Sequence, residues 1–333
     1  MVYQELQAEL DDSDFLRKSR VARHRSPHFW EKEVPRWDDA RFKSNFRVDR
    51  TTFNLIREGV QDLLSKDKKG RGAPLPPDKV CAIGLWRLKE GQASYQTIGT
   101  QFQVGKTTAQ TATIAFVQSI IAVFEKDYVH FPQNQEEVAD ASTKFAAYSK
   151  GVFSGAIGAI DGTHIPIHKP DEKNDKHHRY INRKNKPSLN CMAVVDRNRI
   201  FNYFLARWPG SVGDARILAN CGLASGSFLP GGHYLIGDAG FPLKPWLLTP
   251  YRESPNMHPD SRLYNEKLSS SRMVVEQSFG ELKSRWRVLL HGIHAIPERA
   301  AEMALSCVIL HNICRMNDDR WHASWTVPRS LLE

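Results

Sequence analysis

The sequence Gly155-Ala-Ile-Gly-Ala-Ile-Asp161-Gly-Thr-His-Ile-Pro-Ile167 is an apolar run with a single acidic residue near its centre. The small and β-branched residues on both sides of Asp161 predict a buried β-strand, which Pro166 ends. An ionised carboxylate inside such a strand is unfavourable unless a cation or hydrogen-bond donors compensate it. The sequence therefore predicts that Asp161 lies at a site with charged partners.

Two later segments carry acids in comparable settings. Gly232-His-Tyr-Leu-Ile-Gly-Asp238 is a second apolar strand that ends on an acid, and Glu276 lies on a helix farther along the chain. Three carboxylates within a few ångströms repel one another, and divalent cations remove that repulsion. Mg²⁺ prefers hard oxygen ligands, and a pair of such ions supports phosphodiester cleavage. We therefore expect Asp161, Asp238 and Glu276 to bind two Mg²⁺ or Mn²⁺ ions.

The segment around Glu276 is predicted to be an amphipathic helix. Its apolar stripe consists of Val275, Phe279, Leu282, Trp286 and Leu289. Arg272, Lys283 and Arg287 share a different face with Glu276. This face is predicted to bring the acid to the metal ions and the three bases to DNA phosphates. A helical ion pair between Arg272 and Glu276 on a solvated surface explains the same spacing.

The composition limits the classes of protein to consider. The 333 residues carry a formal net charge of +9, which favours a polyanionic partner such as double-stranded DNA. No run approaches the ~18 apolar residues that a membrane span needs, so we expect no membrane association. The five cysteines are scattered without a C-x-x-C pair. This argues against a disulfide framework or zinc knuckle and favours a reducing compartment.

The segment before the first strand is helical in pattern. A short helix over 95–102 and a longer one beginning at Lys106 predict a helix-turn-helix. Lys106 and Thr107 would open the second helix, where phosphate or base contacts are usually made. A plain helical hairpin explains the same spacing.

The predicted elements divide the chain into four regions. These are an N-terminal arm over 1–44, a helical region over 45–130, an α/β catalytic domain over 150–316 and a tail over 317–333. Residues 127–149 have the composition of a mixed linker, and 189–195 with 200–206 form a predicted β-hairpin. The basic segment 16–26 suits nuclear import, a DNA-backbone contact or a solvated arm.

A polar loop over 168–187 separates the first strand from the hairpin. Its cations are Lys169, Lys173, Lys176, Arg179, Arg183, Lys184 and Lys186. They predict either a DNA-contacting flap or a solvated loop.

Several motifs together resemble the catalytic blocks of the PIF/Harbinger transposases and the Harbinger transposase-derived nucleases. They are Ile160-Asp-Gly-Thr-His164, Gly237-Asp-Ala-Gly-Phe-Pro-Leu243 and Val275-Glu-Gln-Ser-Phe-Gly-Glu-Leu-Lys-Ser-Arg-Trp286. The step of 38 positions from 238 to 276 suits that DDE pattern. Pro209-Gly-Ser-Val-Gly-Asp-Ala-Arg216 and Leu310-His-Asn-Ile313 resemble two further blocks. The likeness covers roughly residues 45 to 316.

The resemblance implies an RNase H-like catalytic domain with a mixed central sheet, preceded by the helix-turn-helix region. It implies that Asp161, Asp238 and Glu276 are the catalytic metal ligands. His164 would orient the site or merely pack beside it, and Asp214 would cap a helix or support the ligands. The implied activity is DNA cleavage at terminal inverted repeats, with strand transfer where the element is active.

The resemblance also implies a Myb-like partner protein that helps DNA binding and nuclear entry. The expected location is therefore the nucleus, with cytoplasmic protein where the partner is absent. The rival interpretation is a domesticated protein that binds DNA or chromatin without cutting. The sequence does not decide whether the protein forms a homo-oligomer.

Overall fold

The computed structural model describes residues 28–65, 74–170, 177–229 and 231–327. The first half of the described chain is helical. Two short helical turns, Phe29–Glu33 and Val34–Arg36, precede α1 (Asp39–Phe46), α2 (Arg50–Ser65), α3 (Pro77–Glu90), α4 (Tyr95–Phe102), α5 (Lys106–Tyr128) and α6 (Gln135–Ser149). The predicted basic segment 16–26 lies outside the described residues.

The second half contains a five-stranded sheet and further helices. Its elements are β1 (Ala156–Pro166), β2 (Ser188–Val195), β3 (Phe201–Pro209), α7 (Asp214–Ala219), β4 (Tyr234–Ile236), β5 (Leu247–Leu248), α8 (Pro259–Arg285), α9 (Val288–His291) and α10 (Pro297–Met316). The strand order is β3-β2-β1-β4-β5. β1, β2 and β3 pair antiparallel, whereas β4 is parallel to β1 and β5 is parallel to β4. The predicted α/β class, the mixed sheet and the β2–β3 hairpin are confirmed.

The predicted boundary between the N-terminal arm and the helical region differs from the structure. α1 crosses position 44, and Phe29, Trp37, Phe42 and Phe46 are buried in the same core as α2 and α3. The rings of Phe29 and Trp86 meet edge to face at 5.5 Å. Such aromatic contacts add to the burial of apolar area, so residues 28–46 belong to the helical unit.

The segment predicted as a linker is helical over α6. Asn134 caps it, since its side chain accepts a hydrogen bond from the Glu137 amide at 2.9 Å. The Glu137 carboxylate in turn accepts from the Gln133 amide. Val138, Ala141 and Phe145 are buried at steps of three and four residues. The linker prediction was therefore wrong, because this polar sequence carries a narrow apolar stripe that packs on β1.

Among the described residues, α5 is the one helix long and apolar enough in composition to cross a membrane. Eight of its residues are buried in the structure. The helix packs against α2, α3, α4 and α10, which accounts for its apolar sequence. α10 contacts β3 on its other side, so one continuous core joins the helices to the sheet.

The Leu310-His-Asn-Ile313 motif ties α10 to the sheet. Asn312 is fully buried, and its side-chain oxygen accepts from the Phe201 amide at 3.0 Å. Its Nδ2 donates to the Phe201 carbonyl and to the Tyr128 carbonyl, at 2.9 and 2.7 Å. One side chain therefore joins α10, the start of β3 and the end of α5.

His311 is expected to make the stability of the fold depend on pH. Its Nε2 lies 2.9 Å from the Arg199 carbonyl oxygen, and burial lowers the pKa of its imidazole to about 3. Between that value and the ordinary value of about 6.5, the unfolded chain binds a proton that the folded chain does not, so stability falls as the pH falls. This residue should therefore contribute a loss of about 2 kcal/mol between pH 6.5 and 5.

The measurement is chemical unfolding at pH 5, 6, 7 and 8 for wild type and His311→Gln. The glutamine amide retains a hydrogen-bond donor but does not titrate. We expect the gap between the two unfolding free energies to narrow on acidification. Parallel curves across this range would contradict the assignment.

Candidate active site

The strand register brings two of the predicted acids together. Ala159 of β1 pairs with Ile236 of β4 in a parallel ladder. Asp161 and Asp238 each follow their paired residue by two positions, so they lie at the same level of adjacent chains. The Gly162 amide donates to Asp161 Oδ1 at 2.8 Å, and the Gly240 amide donates to Asp238 Oδ1 at 2.9 Å. Both carboxylates are therefore oriented by the backbone that follows them.

Helix α8 contributes the third acid, Glu276, and also an arginine that bonds two of the carboxylates. Arg272 Nη1 donates to Asp161 Oδ2 at 2.6 Å, and its Nη2 donates to Glu276 Oε1 at 2.6 Å. The predicted ion pair between Arg272 and Glu276 thus forms with Glu276 exposed to solvent, and the same guanidinium also reaches Asp161. Asp161, Asp238, Glu276 and Arg272 line one cavity of about 400 Å³.

The donor atoms of this cavity suit a cation. Burial raises the pKa of the Asp161 carboxyl to about 7; Arg272 opposes that rise and Asp238 adds to it. Three carboxylates line the cavity, and their hard oxygen atoms are the donors that Mg²⁺ or Mn²⁺ prefers. Within the described ranges, no three His, Cys, Asp or Glu side chains are already gathered closely enough to hold a metal ion. The residue types fit the predicted metals. The Arg272 guanidinium bridges two of the carboxylates.

Asp214 supports the site without capping a helix. The N-cap of α7 is Gly213, and Asp214 is the first helical residue, so the predicted cap is wrong. A Cβ on Gly162 would come within 2.4 Å of Asp214 Oδ1, which explains the glycine beside Asp161. Asn190 Nδ2 donates to the same carboxylate oxygen at 2.9 Å. Asp214 therefore packs directly against the backbone of β1.

His164 lies in the lining of the same cavity, three residues beyond Asp161 on β1. Its Nδ1 is 3.0 Å from the Ser188 hydroxyl oxygen. Burial lowers the pKa of the imidazole; Asp214 opposes that fall, and the cations Lys283, Arg183 and Lys184 add to it.

The structure separates Lys283 from the surface on which it was predicted to contact DNA. The side chain is buried, and its Nζ donates to the His164 carbonyl at 3.2 Å. Burial lowers the pKa of this ammonium to about 8. Lys283 therefore holds α8 against β1 and does not present its charge to a phosphate.

Arg287 is also displaced from the predicted basic face. α8 ends at Arg285, and Trp286 leaves helical geometry with φ −111° and ψ 81°. Arg287 then passes close to Gly91 (φ +64°), where a Cβ would lie 2.7 Å from the Arg287 carbonyl oxygen. The prediction extended the helical periodicity past the point where the helix stops.

The predicted helix pair that contains Lys106 and Thr107 is present as α4 and α5. Gln103 ends α4 in the left-handed conformation, and the Val104 amide bonds the Gly99 carbonyl at 2.8 Å. Lys106 and Thr107 are exposed in the first turn of α5. They lie outside the cavity lining, and their contact with DNA stays a prediction.

Sequence reasoning did not identify two residues of this region. Asn190 interrupts the apolar strand β2, and a buried amide in such a run requires polar partners, so a signal was present. Asn182 lines the cavity beside Arg183, which was named among the cations of the predicted DNA-contacting flap or solvated loop. Composition alone marked the loop of Asn182 as polar and basic.

The fold and this cavity define a class of protein in which two neighbouring strands and a packed helix contribute carboxylates to one basic-rimmed site. The comparisons with known proteins agree with that class. The family described as DDE superfamily endonuclease matches residues 160–312. An ALP1-like protein of Arabidopsis thaliana is 31% identical over 298 residues, covering 83% of this chain and 71% of the relative.

Other relatives bear names of the Harbinger-derived group. HARBI1 of Bos taurus, which is named as a candidate nuclease, is 32% identical over 257 residues, covering 75% of this chain and 70% of that protein. The Arabidopsis protein named antagonist of like heterochromatin protein 1 is 28% identical over 308 residues, covering 84% and 74%. No solved structure matches the chain. The chain belongs to the DDE superfamily of endonucleases, among the Harbinger transposase-derived proteins.

Proposed function

We propose that this protein is a metal-dependent DNA endonuclease that cleaves phosphodiester bonds with Asp161, Asp238 and Glu276. The observation that carries the proposal is the shared cavity, in which carboxylates from β1, α8 and the segment after β4 meet. The strand order β3-β2-β1-β4-β5 supports an RNase H-like catalytic domain. Membership of an endonuclease family supports the reaction class.

The roles of the side chains follow from their contacts. Asp161, Asp238 and Glu276 would hold two Mg²⁺ or Mn²⁺ ions, which, when bound, activate an attacking oxygen and stabilise the leaving one. Gly162 and Gly240 orient the two aspartates through their amides. Asp214 packs against the backbone of β1 at Gly162, His164 contacts Ser188 from within β1, and Lys283 fixes α8 to that strand.

Arg272 is expected to compete with the metal ions for the carboxylates. Its guanidinium makes two charge-assisted hydrogen bonds of 2.6 Å, each worth about 1.5–3 kcal/mol, and a metal ion must replace them at both acids. The variant Arg272→Gln should therefore bind Mn²⁺ at least about ten-fold more tightly than wild type. Electron paramagnetic resonance of free Mn²⁺ during titration measures this without any cleavage assay.

The matched control for this prediction is Arg262→Gln, because Arg262 is exposed on the same helix, ten residues earlier. Its Mn²⁺ affinity should equal that of wild type. If Arg272→Gln binds Mn²⁺ no more tightly than Arg262→Gln, the guanidinium does not compete with the metal.

The nuclease proposal is tested with the full chain and its DNA. Supercoiled plasmid and duplexes that carry inverted-repeat ends are incubated with Mg²⁺ or Mn²⁺, with and without a chelator. Nicking that requires the metal is the expected result. Absence of nicking under every metal condition, in the presence of a Myb-like partner, would overturn the proposal.

The biological setting is proposed on the same basis. The substrate is double-stranded DNA, with terminal inverted repeats and strand transfer if the gene belongs to an active element. The net charge of +9 supports a polyanionic partner. A Myb-like partner would assist DNA binding and entry into the nucleus, and the cytoplasm would hold the chain where that partner is absent.

A second function is favoured by one relative. The name of the Arabidopsis antagonist of like heterochromatin protein 1 refers to a chromatin protein, which suits a domesticated DNA- or chromatin-binding role. In that case the chain would bind DNA and never cut it. The nicking experiment separates the two functions, since binding without metal-dependent cleavage is the signature of the second.

A further inference from the structure

The turn that follows the short helix His177–Tyr180 is built by one asparagine side chain. Asn182 Oδ1 accepts hydrogen bonds from the backbone amides of Lys184 and Lys186, at 2.9 and 3.1 Å. The backbone amide of Asn182 donates to the Lys186 carbonyl at 2.9 Å, and Asn185 adopts the left-handed backbone conformation. The backbone of residues 182–186 is therefore held in a single tight shape.

A hydrogen-bonded chain fixes this turn to the catalytic strand. Asn182 Nδ2 donates to the Ser188 hydroxyl oxygen at 3.1 Å. Ser188 is buried, and the same oxygen lies 3.0 Å from His164 Nδ1. The Ser188 hydroxyl thus contacts both the Asn182 side-chain amide and the His164 imidazole. Asn182 is thereby linked, through Ser188 and His164, to the strand that carries Asp161.

The turn brings two cations to the mouth of the acidic cavity. Arg183 and Lys184 line the cavity together with Asp161, Asp238 and Glu276, and both are exposed to solvent. Their neighbours Arg179 and Lys186 are equally exposed but lie outside this lining. A cavity with carboxylates in its wall repels a phosphodiester unless fixed positive charge stands beside them. The rim at Arg183 and Lys184 supplies that charge.

We propose that residues 182–186 form a phosphate-binding turn, in which Arg183 and Lys184 contact a backbone phosphate of nucleic acid next to the cleaved one. Asn182 is a positioning residue that acts through the turn. The inference rests on the proposed nuclease function, because it assigns part of the same substrate to the same cavity. It commits to the polyanionic backbone as the ligand, with no reading of base sequence.

The experiment measures binding of a labelled DNA duplex to the full chain by fluorescence anisotropy, without divalent metal, across a series of NaCl concentrations. Each lost phosphate contact lowers the magnitude of the slope of log affinity against log salt by about 0.9. For Arg183→Gln with Lys184→Gln we expect a slope smaller by about 1 to 2 and binding at least about ten-fold weaker near physiological salt.

The control removes the same charge from the same loop, with Lys169→Gln and Arg179→Gln combined, because both residues are exposed and lie outside the turn and the cavity lining. Its slope and affinity should stay close to those of wild type. Equal losses in the two double variants would show a general charge effect and overturn the proposal, as would a wild-type slope in Arg183→Gln with Lys184→Gln.

The variant Asn182→Ala tests the positioning role without changing charge. It should reduce the salt slope and weaken DNA binding several-fold while thermal unfolding stays near that of wild type. An unchanged slope in this variant would refute the role of Asn182. In a further arm, inorganic phosphate replaces chloride at equal ionic strength. If phosphate releases DNA from wild type but not from Arg183→Gln with Lys184→Gln, the turn is assigned to free phosphate instead.

The outcome for the turn is distinguishable from the outcome for the nuclease. If the double variants separate as expected but wild type never cuts DNA with Mg²⁺ or Mn²⁺, the phosphate-binding turn stands and the nuclease proposal fails. If wild type cuts and the double variants coincide, the reverse conclusion holds.

Discussion

Replacing Asp238 with alanine is expected to lower the rate of metal-dependent DNA nicking by at least about a thousand-fold. This corresponds to about 4 kcal/mol of lost transition-state stabilisation. Asp238 lies level with Asp161 across the parallel pair β1 and β4, so its removal takes a carboxylate out of the proposed metal site. The nicked fraction of supercoiled plasmid over time, in Mg²⁺ and in Mn²⁺, measures the effect.

Binding of DNA should persist in this variant, because Asp238 carries negative charge and contributes no phosphate contact. The control is Asp260→Ala, which removes an exposed acid from the first turn of α8 and should retain the wild-type rate. If Asp238→Ala nicks DNA at the wild-type rate, Asp238 is not part of the active site. Equal losses in both variants would indicate a general effect on folding.

The second large effect is expected on stability, from Asn312→Ala. The variant leaves the Phe201 amide and carbonyl, and the Tyr128 carbonyl, without their buried partner. Each unsatisfied buried group costs about 1–3 kcal/mol, so the free energy of unfolding should fall by about 3–5 kcal/mol. The melting temperature should drop by about 6–10 °C.

The matched control is Asn317→Ala in the turn after the same helix. Asn317 is exposed and bonds only locally, through Nδ2 to the Ile313 carbonyl, among the contacts described. Its loss should change the unfolding free energy by less than about 1 kcal/mol. If the two variants unfold alike, then Asn312 is not the tie between α10, β3 and α5 that its hydrogen bonds indicate.

The family resemblance of Leu310-His-Asn-Ile313 marked this segment without giving its role. In the structure, His311 bonds to the Arg199 carbonyl in the turn between β2 and β3. Asn312 bonds to the backbone of Phe201, the first residue of β3. A motif that accompanies a catalytic domain can thus be structural. Only the distance of these side chains from the cavity distinguishes the two roles, and a linear sequence carries no such distance.

Local patterns were sufficient where the physical cause is local. β1 and its central acid were predicted because an apolar, β-branched run buries itself whatever its neighbours are. α10 begins at Pro297, and proline suits a first helical turn. α6 was missed although its signal was local too, since Asn134 and Glu137 form a cap ahead of the buried Val138.

The face of α8 could not be resolved from its own periodicity. A helical wheel shows which residues share a face but not what that face meets. Lys283 shares a face with Glu276, yet β1 covers it and its charge is buried. Arg272 was predicted to meet DNA, and instead it meets Asp161, which lies 111 positions away.

By itself, the sequence determined that two apolar strands each carry an acid, that a later helix carries a third, and that the chain is basic, with a formal net charge of +9. Those features follow from hydrophobic periodicity and charged residue types, which can be read from short stretches of sequence. The tertiary structure alone decided that Arg272 bridges two of the acids and that Asn182 brings Arg183 to the same cavity. Such contacts join residues that only the packing of α8 and the turn against β1 brings within hydrogen-bond distance.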